Sequence, residues 1–104
     1  MSRIEMLLDM LEEDSNDSFL KYALGLEYIQ KDLLDEAEKV FVELRSKHPE
    51  YLPLYYQFGQ LLEKRERFDE AIAVYKAGEA LASEQRDLKT RSELQEALWE
   101  LEDE

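Results

Sequence analysis

The sequence has no cysteine, which excludes disulfides, thiolate metal sites and thiol nucleophiles. Glycine and proline are scarce, at three and two of 104 residues, whereas a many-stranded β-fold needs a turn roughly every 8–12 residues. Base is short as well: 13 Lys and Arg face 26 Asp and Glu, for a net charge of −13. That field repels phosphate, so nucleic acid and anionic membrane are unfavourable partners. The surplus of acid serves either solubility or long-range attraction toward a basic partner. No stretch approaches the ~20 apolar residues needed to span a bilayer. The start, Met1 to Asp9, is interrupted by Arg3, Glu5 and Asp9 and lacks the apolar run of a signal peptide. A soluble cytoplasmic protein of one domain, residues 1–104, is therefore expected.

What is present is a repeat. An offset of 34 residues superposes Leu20 on Leu54, Tyr22 on Tyr56 and Gly25 on Gly59. The same offset superposes Asp35-Glu36-Ala37 on Asp69-Glu70-Ala71, Val40 on Val74, and Phe41 on Tyr75. Each copy reads as two helices. In the first copy Leu20, Ala23, Leu24 and Tyr28 recur at the spacing of one helix face, as do Leu33, Ala37, Val40, Phe41 and Leu44. The polar connection Gln30-Lys31-Asp32 is short enough to force an antiparallel return. The second copy has Leu54, Tyr55, Phe58, Leu61 and Leu62, a turn near Arg65-Glu66-Arg67, then Phe68, Ala71, Val74, Tyr75 and Gly78.

Gly25 and Gly59 fall inside helical patterns, where glycine costs about 1 kcal/mol relative to alanine. A close helix crossing offsets that cost, and Ala37 and Ala71 are the expected small partners; a hinge is the alternative. His48-Pro49 closes the first unit, because the residue before proline is pushed out of helical geometry. Pro53 suits the first turn of the next helix. Glu27/Lys31, Asp35/Lys39 and Glu43/Lys47 place acid four residues before base, each pair worth a few tenths of a kcal/mol, roughly.

With these residues in view the chain resembles the tetratricopeptide repeat family. The pattern W-x2-L-G-x2-Y…A-x3-F…P is met by Leu24, Gly25, Tyr28, Ala37, Phe41 and Pro49. The second unit offers Tyr55, Phe58, Gly59, Leu62, Ala71 and Tyr75, with Ser83 in place of proline. Lys21 replaces the aromatic expected at the first position, which implies a modified first helix. The resemblance implies an all-α, right-handed α-solenoid of antiparallel helix pairs with about six helices. Residues 18–51 and 52–85 form the two units.

The flanks read as caps for the exposed ends of so short an array. Ser2-Arg3-Ile4-Glu5 is a capping box opening a helix over 2–13, with Ile4, Leu7, Leu8 and Leu11 on one face. The offset places Met6 on Val40 and Leu7 on Phe41, so this helix reads as half of a preceding repeat. Asp17 or Ser18 caps the helix that follows. Asp87 caps a last helix over 87–102 carrying Leu88, Leu94, Ala97, Leu98 and Leu101. Trp99 is expected on the inner edge of that lid, with a partner anchor as the alternative.

Chemistry-bearing constellations are missing. His48, at a helix end, has neither cysteine nor a second histidine to form a metal site or a nucleophile–base pair. Glu12-Glu13-Asp14 and Asp35-Glu36 lack the spacing and glycine of a calcium loop. No P-loop, GxGxxG or H-E-x-x-H occurs. The expectation is no enzyme, no catalytic or metal-binding residue and no cofactor.

In tetratricopeptide proteins the first helix of each unit lines a concave groove that takes an extended peptide or a helix. Carried over by position, the resemblance implies Phe19, Tyr22, Ala23, Leu26 and Ile29 from the first unit. The second contributes Pro53, Tyr56, Gln57, Gln60 and Glu63. Tyr22 and Leu26 stand where relatives that clamp a terminal carboxylate carry Lys and Asn, which argues against that ligand. The implied function is a scaffold or adaptor that holds a peptide or helix of a partner protein. The alternatives are a homo-oligomer using the same apolar surface and, more weakly, an acidic mimic of nucleic acid.

Overall fold

A computed structural model describes residues 2–102. Among them lie six α-helices and no strand: α1 Arg3–Glu13, α2 Ser18–Gln30, α3 Leu34–Lys47, α4 Pro53–Lys64, α5 Phe68–Gln85 and α6 Leu88–Glu102. The chain divides into two compact units at Tyr51/Leu52. In unit 1, α2 and α3 form a hairpin and α1 lies against α2; in unit 2, α5 is packed against both α4 and α6.

Helix starts follow the local chemistry. The Ser2 hydroxyl accepts from the Glu5 N–H at 3.1 Å, and the Asp17 carboxylate accepts from the Leu20 N–H at 3.0 Å. Asp87 accepts from both the amide and the hydroxyl of Thr90, at 3.0 and 2.9 Å. Each side chain satisfies a first-turn N–H that the helix itself leaves without a partner. Pro53 occupies the first turn of α4.

Helix ends use a device the composition does not advertise. Asp32, Glu66 and Arg86 all take left-handed backbone angles, with φ of 60, 61 and 60°. After each, the next amide reaches back five residues: Leu33 to Tyr28 O, Arg67 to Leu62 O and Asp87 to Ala82 O, at 2.8 to 2.9 Å. These are Schellman closures built without glycine. Asp32 and Glu66 stand one repeat apart, so the tight hairpin turn recurs with the repeat. With no proline near Ser83, α5 runs for 18 residues against 14 in α3.

The hairpin cores are built around an aromatic ring seated on a glycine. A Cβ at Gly25 would collide with the Phe41 ring, coming within 2.8 Å of its Cδ1. A Cβ at Gly59 would come within 2.5 Å of Tyr75 Cζ. Both rings are fully buried. This corrects the expected partners: Ala37 and Ala71 are fully buried too, but the ring is what fills the notch. No glycine has positive φ, so the notch uses the missing side chain and not glycine's backbone freedom. Gly78 serves likewise in unit 2, its missing Cβ lying 2.6 Å from Tyr55 Cβ.

The caps and the ion pairs also depart from the sequence expectation. Of the proposed α1 stripe only Leu7 is buried; Ile4 and Leu11 are half-buried and Leu8 is exposed. On α6, Leu94, Ala97 and Leu98 are buried, whereas Leu88 and Trp99 are 70% and 75% exposed. Trp99 is therefore not on the inner edge of the lid. Glu27 is held by Arg3 of α1 at 2.7 Å, where Lys31 was the expected partner. Glu43 does meet Lys47, at 3.3 Å.

Candidate functional site

Unit 1 presents its strip along α2. Phe19, Tyr22, Ala23, Leu26 and Ile29 recur at three or four residues, or adjacently, and so share one face of the helix. Phe19 is 62% exposed, and the other four are half-buried. Tyr22 stacks on the buried Phe41 with centroids 6.4 Å apart and meets Tyr51 at 5.5 Å in a tilted pair. The face is thus an aromatic end followed by an aliphatic run.

Unit 2 presents the matching strip along α4, with different chemistry. Pro53, Tyr56 and Gln60 are exposed, while Gln57 and Glu63 are half-buried. Tyr56 packs on Tyr75 with centroids 6.2 Å apart. The Tyr75 hydroxyl donates to Glu63 Oε2 at 2.5 Å and accepts from Gln60 Nε2 at 2.7 Å. Burial and the adjacent Glu63 carboxylate both push the Tyr75 pKa far up, so the phenol keeps its proton. Gln60 and Glu63 are therefore already engaged inside unit 2. Each expected strip is a continuous face of its own helix, and the amide groups of the second are partly committed.

Sequence reasoning passed over a buried cation. Lys21 is 5% exposed, and its Nζ reaches Glu43 Oε1 at 3.0 Å. Glu43 lies across the hairpin on α3 and holds Lys47 as well. Hydrogen bonds from Lys21 and Lys47 lower the Glu43 pKa below the ordinary carboxylate range. Lys21 occupies the position that Tyr55 fills one repeat later, so the departure already visible in the sequence marked the place but not its ionic partner.

No cluster of three or more His, Cys, Asp or Glu fit to hold a metal occurs among the described residues. Among the described residues, no helix is long and apolar enough to cross a membrane. His48 is a structural tie: its Nε2–H donates to the Asn16 carbonyl at 3.0 Å, and Nδ1 lies 3.6 Å from Glu50.

Comparison with known proteins agrees with this architecture. The tetratricopeptide repeat family model matches residues 52–85. A tetratricopeptide repeat domain protein from Salinibacter ruber, solved in solution, is 38% identical over 84% of this chain and 88% of its own, with a TM-score of 0.81. A crystal structure from the same organism gives 38% identity over 84% of this chain and 97% of that one, with a TM-score of 0.79. A protein from Bordetella parapertussis shares the fold at a TM-score of 0.85 over 99% of this chain and 90% of its own, at 23% identity. No curated protein matches the sequence significantly. The fold class is the all-α tetratricopeptide solenoid, whose members generally act as non-catalytic scaffolds for protein partners. With helix pairs, glycine notches and aromatic knobs repeated in step, and a 38% identical relative matched over most of both chains, this protein belongs to the tetratricopeptide repeat family.

Proposed function

We propose that the protein is a non-catalytic adaptor that binds a peptide or helix of a partner protein through the α2 strip, with the α4 strip in the same role. One observation carries the reading. Phe19, a large aromatic, is 62% exposed at the head of a strip that continues through Tyr22, Ala23, Leu26 and Ile29. Aromatic residues are enriched at protein interfaces and among their energetic anchors. The net charge of −13 adds long-range attraction for a basic segment.

Phe19→Asp tests this directly, because the side chain is exposed and its loss leaves the core intact. Partner capture by the variant should fall at least about tenfold while circular dichroism and the melting temperature hold. Unchanged capture by a folded variant removes the α2 face from consideration.

A second reading has its own support. Leu88 and Trp99, 70% and 75% exposed, stand eleven residues apart on α6, close to three turns and hence on one face. That face suits self-association. Light scattering at high concentration decides it: a dimer that Trp99→Gln dissociates supports the reading, and a strict monomer ends it.

A further inference from the structure

The aromatic end of the α2 strip has a carboxylate beside it. Asp17 precedes α2, and one of its oxygens caps the Leu20 N–H at 3.0 Å, which fixes the carboxylate and leaves the second oxygen outside that bond. Tyr51 meets Tyr22 at 5.5 Å, and Phe19 lies one helical turn from Tyr22 and is 62% exposed. Burial, and then the charge of Asp17, raise the Tyr51 pKa, so the phenol stays neutral. The segment carrying Asp17 and the segment carrying Tyr51 are tied together by the His48 Nε2–Asn16 bond at 3.0 Å, so the corner is preorganised. All of these residues belong to unit 1.

We propose that the corner formed by Phe19, Tyr22 and Tyr51 beside Asp17 recognises a basic side chain, arginine by preference, in a partner segment whose apolar residues lie along Ala23, Leu26 and Ile29. This rests on the α2 face being the docking face. A guanidinium satisfies both halves of the corner at once, stacking flat on an aromatic ring while donating to a carboxylate. The net charge of −13 complements such a segment at long range. Unit 2 does not repeat the device. One repeat on, Asp17, Phe19 and Tyr51 become Tyr51, Pro53 and Gln85, so the carboxylate and two of the three rings are lost. Basic recognition is thereby confined to unit 1.

The test uses the full chain and a designed probe: a short amphipathic helix of leucine, alanine and glutamine bearing a single central arginine. A second version carries citrulline, which keeps the shape and removes the charge. The arginine helix should bind about tenfold more tightly than the citrulline helix, with the NMR shifts centred on Phe19, Tyr22, Tyr51 and Asp17. Asp17→Asn keeps the helix cap, since Asn caps as well as Asp, and should cut the arginine margin to the few-fold part that ring stacking alone supplies. Asp9→Asn removes the same single charge from α1 and should leave the margin intact. Equal binding of the two helices to the native protein overturns the proposal, as does a margin that Asp17→Asn leaves undiminished. If the two bind equally and Phe19→Asp abolishes both, the docking face stands and the arginine assignment falls. If neither helix binds, both fall.

Discussion

The two repeats share a scaffold and differ in what they place around its central ring. In unit 1 the ring is Phe41, and the strip positions Leu26 and Ile29 are aliphatic; in unit 2 the ring is Tyr75, and the same positions hold Gln60 and Glu63. The extra hydroxyl arrives with a donor and an acceptor, and both are used. A second exchange runs alongside. Tyr55 and Gly78 of unit 2 correspond to Lys21 and Leu44 of unit 1, and Ala77 corresponds to Glu43. A large neutral ring over glycine has been replaced by a cation with its counter-ion across the hairpin. Both contrasts teach that substitutions in such a hairpin come in sets, because a buried polar atom without a partner costs about 1–3 kcal/mol.

The glycine notches offer the hardest way to break the likeness between the units. Alanine at Gly25 or Gly59 would thrust a Cβ into a fully buried ring. Overpacking of this kind costs about 1–3 kcal/mol, even against alanine's better helix propensity of about 1 kcal/mol. The Tyr75 ring is held at its hydroxyl, a group that Phe41 lacks, so Gly59→Ala should destabilise more than Gly25→Ala in urea denaturation. Equal losses would show that the hydroxyl does not restrain the ring.

Exchange of the ring itself tests whether the hydroxyl and its partners act as a set. Phe41→Tyr alone places a hydroxyl beside aliphatic strip residues and should cost about 1–2 kcal/mol. Adding Leu26→Gln and Ile29→Glu transplants the unit 2 set and should recover part of that loss. The reverse change, Tyr75→Phe, should cost less, near 1 kcal/mol, because Gln60 is exposed and can turn to water. Chemical denaturation of the four proteins measures each step, and a triple variant no better than Phe41→Tyr would refute the set.

The ionic exchange gives a pH signature. The folded-state pKa of Glu43 is lowered chiefly by its bonds to Lys21 and Lys47. Its contribution is therefore complete above the unfolded carboxylate pKa and is lost as pH falls through the depressed folded value. Stability should decline across that acid window, and Glu43→Gln should flatten the decline. Glu70 and Asp87 in unit 2 are also lowered, by Arg67 and by Thr90 respectively, so the flattening is partial. An unaltered acid profile in Glu43→Gln would show that the pair does not contribute.

The smallest effect belongs to the turns. Glu66 holds φ of 61°, a conformation that strains any residue with a Cβ. Glu66→Gly should raise stability by about 0.5–1 kcal/mol, net of glycine's chain entropy, read as a higher melting temperature. A lower one would mean that the turn is not strained.

Much of this molecule is written locally. The spacing of apolar residues, the caps at Ser2, Asp17 and Asp87, and the two glycines one repeat apart depend only on neighbours within a helical turn or on the repeat itself, so the sequence determined the helices, their pairing and which residues share one face of α2 and of α4. Other features needed the folded chain. Lys21 is buried because Glu43 comes across from α3 to meet it, Glu27 turns to Arg3 because α1 lies against α2, and Gln60 and Glu63 are committed because the Tyr75 hydroxyl arrives between them. Trp99 faces water because the buried side of α6 is filled by Leu94, Ala97 and Leu98. Periodicity reports which residues share a face; which partner a polar or aromatic group finds on that face is set by side chains brought together from far along the chain, and only the tertiary structure decides it.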